Sequence, residues 1–349
     1  MKNLLLLITV ALTISFGISQ LSFSRCEPTG PNQFECNSLD PNPDPNGIQQ
    51  GGNNNGVMVE ILPEGNIDTN NFAAIDLGNG PNHVDVKNAT VEGLSRAINT
   101  GIESDEITLD RARLESTAST LFFNSGNDHV IIKDSIVVTT IGGITISVGD
   151  GDDTALISGS TISTGPNISR AFTGGAGMED LTIMNSIITN TSSDVTVSLG
   201  VDDDKVFVSN STITNLTDDF PLRGAAGNDE LTIGTEAIIP GGLDCDFGDE
   251  AQGFDTLIFA MQVPASQITE LTQKIENLPT PDGGVTINDI FYEYRNCDVI
   301  VAALKDSEPS SDCSLAGTNS ISEPSALVGL LGYLLIPAVI VVRRRLRRK

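Results

Sequence analysis

The chain has no tryptophan and only three tyrosines, Tyr292, Tyr294 and Tyr333, so the flat aromatic platforms on which sugars and bases stack are scarce. Histidine occurs twice, at His83 and His129, and no Cys-x-x-Cys pair exists, which removes the ordinary zinc spacings. Basic residues are few: 19 Lys and Arg face 46 Asp and Glu, for a formal charge of −27. Seven of the 19 are Lys2 and the six of the C-terminal tail, so the body between carries 12 against 46, near −34. Such a body repels phosphate backbones, and nucleic acid is excluded as a partner. Long apolar runs are missing except at the two ends, and helical spacing is missing except in one stretch near residue 270.

A repeat fills the space between. A Gly-x-Asp-x-apolar-x-apolar pattern returns every 23 to 26 residues from about 57 to 260. Anchored on the first apolar residue after the acid, it runs Val84, Ile107, Val130, Ala155, Leu181, Val206, Leu231 and Leu257, with Val59 an earlier member. Two residues on stand Val86, Leu109, Ile132, Ile157, Ile183, Val208, Ile233 and Phe259; seven on stand Val91, Leu114, Val137, Ile162, Ile188, Ile213 and Ile238. Nine residues before the anchor stand Ile75, Ile98, Leu121, Ile146, Phe172, Val197 and Leu222. A fixed period of this length means a solenoid. Three β-branched segments per period predict three short strands per coil. A small column five past the anchor (Ala89, Ala112, Ser135, Ser160, Ser186, Ser211) marks a corner where two faces meet.

The expected fold is therefore an all-β parallel β-helix of about eight to nine coils, right-handed by the general rule for parallel crossovers. One array takes up about 200 of the 349 residues, which favours a single elongated domain. Before it, Lys2 and the apolar run Leu4 to Ile18 predict a signal peptide over 1–24, and a Cys-, Pro- and Asn-rich segment follows over 25–56. After the repeats of 57–260, Ile268, Leu271, Ile275 and Leu278 predict a short amphipathic helix. With the strand-forming stretches at 283–288, 291–294 and 297–300 it makes a cap over 261–304, which an open solenoid end requires. Export admits disulfides, with Cys26–Cys36 and Cys245–Cys297 the candidate pairs.

A linker, 305–320, leads to Ser322-Glu323-Pro324-Ser325, an apolar run from Ala326 to Val342, and Arg343 to Lys349. That run is at the short limit for a transmembrane segment, and the basic cluster would stay cytoplasmic. The order of motif, span and Arg cluster over 321–349 resembles the PEP-CTERM sorting signal, with Ser322-Glu323-Pro324 where that family has Pro-Glu-Pro. The resemblance implies an exosortase-like membrane protease as partner and a Gram-negative cell surface, outer envelope or extracellular matrix as destination. The segment after the array also resembles the closing part of secreted bacterial β-helix repeat proteins.

Three features could carry chemistry. The column two before the anchor is acidic, Asp105, Asp128, Asp153, Glu179, Asp204, Asp229 and Asp255, with Asn82 the exception. Stacked carboxylates need amide donors in an Asx-type turn, or a cation. The densest Ca²⁺ candidates are Asp150, Asp152 and Asp153, and Asp202, Asp203 and Asp204. Outward on three successive strands, His83, Glu106 and His129 share one column, while Lys87, Asp110 and Lys133 share another. Their alternating sign predicts a cross-strand ion-pair ladder, or the acid-base patch of a polysaccharide lyase or hydrolase centred on Glu106 and Asp110. Five Asn-x-Ser/Thr sequons occur, and Asn88, Asn185 and Asn210 share one column, read as a turn. A flat, regular Thr array for ice binding is not met by the mixed outward column Asp85, Thr108, Ile131, Leu156, Thr182, Phe207, Thr232 and Ile258. The favoured function is structural or adhesive, in contact with extracellular polysaccharide or matrix.

Overall fold

The computed structural model describes residues 25–37, 47–50, 55–63, 65–192, 195–216, 220–246 and 254–307. The signal peptide, most of the linker and the whole sorting signal lie outside these residues. Among the described residues no helix is long and apolar enough to cross a membrane.

β-Branched residues in period two bury one edge of each strand, and the chain closes that edge inward on three sides. The result is a parallel β-solenoid of about eight turns. Among the described residues the first sheet has twelve strands, the second seven and the third eleven. Along the first, the anchors stand in exact Cα register: Val59 beside Val84, then Ile107, Val130, Ala155, Leu181, Val206, Leu231 and Leu257. The column continues to Phe34 at one end and Ile300 at the other. Anchors and the residues two beyond are buried throughout. The column seven beyond is buried from Val91 to Ile213.

Ile238 breaks that expectation: it is 43% exposed, and Ile239 is buried in its place. The cause is one extra residue at the corner. Earlier coils turn on a single residue four past the anchor (Asn88, Arg111, Asp134, Gly159, Asn185, Asn210), all with φ between 46° and 61°. In the Leu231 coil the left-handed residue is Glu236, five past, so the phase shifts by one and the other face turns inward. The second sheet accordingly ends at Thr212–Thr214, with only a bridge from Thr212 to Ile238 beyond it.

Both ends are closed. At the start, Arg25–Gly30 and Gln33–Asn37 form an antiparallel hairpin with Cys26 and Cys36 opposite one another and disulfide-bonded. At the finish, helix Ala265–Glu276 buries Ile275 and packs Ile268 and Leu271 against the core. Gly283–Ile287 and Ile290–Arg295 pair antiparallel and extend the third sheet, while Val299–Ala302 extends the first. The second disulfide, Cys245–Cys297, ties the last full coil to this segment.

Candidate functional site

The acidic column forms the corner between the third sheet and the next coil's first strand. Gly126, Gly151, Gly177 and Gly227, two residues before Asp128, Asp153, Glu179 and Asp229, have φ from +125° to +156°. A side chain has no room at Gly151, where a Cβ would lie 1.8 Å from the Gly126 carbonyl oxygen of the adjacent coil; Glu103 and Asp202 take the same place before Asp105 and Asp204. The following acid turns inward, and its Oδ1 accepts the amide N–H of the acid one coil earlier. Asn82 N donates to Asp105 at 2.7 Å, Asp105 N to Asp128 at 2.7 Å, and Asp128 N to Asp153 at 2.7 Å. Glu179 N to Asp204, Asp204 N to Asp229 and Asp229 N to Asp255 continue the series at 2.8, 3.0 and 2.9 Å. The series skips one step at Glu179, which is one methylene longer and accepts the Gly175 amide of its own turn at 3.0 Å.

The Asx reading is thus modified: these carboxylates bond mainly between coils. They are about 2% exposed, and the second oxygens of Asp128, Asp153 and Asp229 meet no protein donor. Burial, reinforced by like charges (Asp153 and Asp105 beside Asp128, Asp152 and Asp150 beside Asp153, Asp204, Asp255 and Asp203 beside Asp229), pushes Asp128 up to about 8, Asp153 to about 7 and Asp229 to about 8, against the opposing amide bond. Burial also raises Glu179 and Asp204, Glu179 the more strongly of the two.

One residue outside this column runs a second series with the opposite polarity. Asp152 N donates to Asn127 Oδ1, Met178 N to Asp152 Oδ1, Asn228 N to Asp203 Oδ1, and Phe254 N to Asn228 Oδ1. Asp150 accepts from Ala176 N and Asp202 from Gly177 N. All six carboxylates expected to gather Ca²⁺ therefore accept backbone amides across coils, and among the described residues no group of three or more His, Cys, Asp or Glu could hold a metal ion. A serine series closes the opposite corner, where the hydroxyls of Ser135, Ser160, Ser186 and Ser211 each accept the amide of the small residue one coil earlier.

On the outer surface of the first sheet the register places Glu106 between His83 and His129, and Asp110 between Lys87 and Lys133. The side chains pair differently. His83 Nδ1 lies 3.2 Å from Glu106 Oε2, but His129 Nδ1 contacts Thr154 Oγ1. Lys87 binds Asp85 at 2.5 Å and Glu60 at 3.7 Å; Asp110 turns to its neighbour Arg111 at 3.1 Å, and Lys133 forms no ion pair with it. The Lys87–Asp110–Lys133 ladder is therefore not formed, because a charge adjacent along the chain reaches Asp110 at less cost than one across the strands. Glu106 and Asp110 stand four residues apart on one strand, with Cα atoms about 13 Å apart.

The alternating charge stack does exist elsewhere. In the third sheet Arg223, Asp244 and Arg295 occupy matching positions on adjacent strands. Asp244 is fully buried, with Arg295 Nε at 2.8 Å, Arg223 Nε at 4.0 Å and Asn296 Nδ2 at 2.7 Å. Burial raises its pKa while these donors pull it back. The guanidinium of Arg295 lies 3.8 Å from the centre of the Phe220 ring. Beside it opens a cleft of ≈ 760 Å³ lined by Phe220, Asp282, Phe291, Glu293, Arg295 and Asn296, none of them a residue singled out for catalysis or metal binding.

Comparison of the chain with protein-family models, with curated proteins and with solved structures returned no match.

Proposed function

We propose that the protein is an exported solenoid that serves as a structural or adhesive component of a bacterial cell envelope or extracellular matrix, delivered there by its PEP-CTERM-like tail. The observation that carries this reading is the continuity of the rod: corner after corner tied by side chain to amide, both ends closed, and long outward columns repeated coil by coil. Such a body is a rigid spacer that presents one surface many times. Among its outward acids Glu106 faces His83, Glu60 and Asp85 face Lys87, and Asp110 faces Arg111, which favours a scaffold over a catalyst working at Glu106.

In its own host, the protein should fractionate with the envelope or matrix, with a mature chain ending near Pro324. Intact-mass analysis checks the second point, and a dominant species retaining Arg343 to Lys349 would refute processing. Recovery of the protein wholly in the cytoplasm would refute the reading itself.

A further inference from the structure

The second sheet changes character halfway along. Its early strands carry Asp68, Glu92, Arg113 and Glu115 outward. From Ile136 onward the outward positions are uncharged: Ile136, Thr161, Ile187, Thr212 and Ile238 in one column, Val138, Ser163, Thr189 and Thr214 in the other. Ile136, Ile187 and Ile238 are 41%, 52% and 43% exposed. In a body near −34 this is a neutral strip. One border is the left-handed corner, where Asn210 Nδ2 donates to Asn185 Oδ1 at 2.6 Å, so neutral amides flank the Ile187 and Thr212 strands, while Asp134 and Glu236 take the same corner at the two ends of the strip.

We propose that this strip binds an extended, uncharged polysaccharide, its sugar units running along the stack of coils; the assignment rests on the adhesive reading above and names its partner. The repeat of about 4.8 Å from strand to strand is close to the length of one pyranose in a β-linked chain, so like contacts recur unit after unit. Alternating Ile and Thr supply apolar and hydrogen-bonding groups in turn, as a pyranose does with its C–H faces and hydroxyl edges. β-Branched side chains hold one χ1 rotamer and lose little freedom on binding. Each contact is weak without an aromatic ring, and affinity comes from repetition. An acidic polymer would be repelled by the body. A second copy brings another such charge, and the strip, about 19 Å by about 7 Å, falls far short of the roughly 800 Å² per partner of a stable interface.

The test is a depletion assay of the whole protein on insoluble β-glucan and on chitin, with alginate as the anionic polymer. Wild type should bind a neutral polymer, and Thr189→Asp and Thr189→Asn should each weaken binding, the Asp variant at least tenfold. Thr182→Asp, on the outer face of the first sheet, should bind as wild type; circular dichroism checks that all three fold. Unchanged binding by both Thr189 variants would remove the strip as the site while leaving the adhesive reading standing. Binding to alginate alone would overturn the ligand class. Self-association, or ice shaping, lost in the Thr189 variants would reassign the strip to a second copy or to ice. Adsorption to nothing by a protein that is still matrix-bound in its host would also refute the proposal.

Discussion

Replacing Asp128 with Asn should stabilise the protein at alkaline pH and leave it nearly unchanged in acid. Asp128 is buried between Asp105 and Asp153, and its pKa stands near 8 in the fold against about 3.9 in an unfolded chain. A folded pKa raised above the unfolded value means that folding takes up a proton. The associated stability is complete below about pH 4 and is lost as pH rises through 8. At about 1.4 kcal/mol per pH unit, the loss for this one group reaches about 6 kcal/mol, an upper bound because neighbours relax and share protons. Asparagine keeps the oxygen that accepts the Asp105 amide and cannot ionise. The chain contains its own precedent in Asn82, which accepts from Val57 N at 3.0 Å and donates Nδ2 to Asp105 Oδ1 and to Gly78 O. Urea unfolding at pH 5 and pH 8.5, with chelator present, measures the effect. The wild type should lose several kcal/mol between the two and the variant less. A wild type more stable at pH 8.5, or a variant weaker there, would refute the neutral-acid argument. Rescue of the wild type at pH 8.5 by Ca²⁺, absent in the variant, would show that the ionised column takes a cation.

Three further outcomes follow from the geometry. Asp110→Asn should cost at most about 1 kcal/mol, since its ion pair with Arg111 is exposed; a larger loss on urea titration would mean that it serves more than Arg111. Asp244→Ala leaves Arg223 and Arg295 facing one another without their acid and should cost about 3 to 5 kcal/mol, read by the same titration; a cost below 1 kcal/mol would show that the arginines escape to solvent. Cys297→Ser opens the loop of 52 residues closed by the second disulfide and should cost about 4 kcal/mol by loop entropy, more than the shorter Cys26–Cys36 loop. Equal losses from the two would contradict that ordering.

The anchor column was legible because an inward position tolerates only apolar residues, so eight coils repeat the same constraint. The column seven residues beyond failed at Ile238, where an extra corner residue keeps the composition β-branched while inverting the faces; neighbouring Ile238 and Ile239 give no composition signal for which is inside. The two disulfide pairs were legible from their surroundings. The Lys87–Asp110–Lys133 stack was a sound reading of register and a wrong one of side chains, because exposed charges choose among all neighbours within reach, including Asp85 and Arg111. The real stack at Asp244 could not be found by period, since the chain between Asp244 and Arg295 departs from the repeat and includes the helix. The acidic column was visible, but its bonding between coils was not, because sequence spacing cannot say whether a carboxylate caps its own turn or the one beside it.

The two side-chain series at the glycine corner have a consequence for the whole rod. In the inner one each coil accepts an amide from the coil before it, as Asp153 does from Asp128; in the outer one it accepts from the coil after it, as Asp152 does from Met178. A single coil is therefore fastened to both neighbours by adjacent residues, and the backbone polarity of the corner is balanced locally. Stability in such an array is a sum of coil and interface terms, and it frays from the ends, where one neighbour is missing. Both disulfides stand at those places, Cys26–Cys36 on the first strands and Cys245–Cys297 joining the last full coil to its closing segment. The interior coils carry no covalent tie and need none, since each is held from two sides; the ends lack a partner on one side, and there the crosslinks supply what stacking cannot.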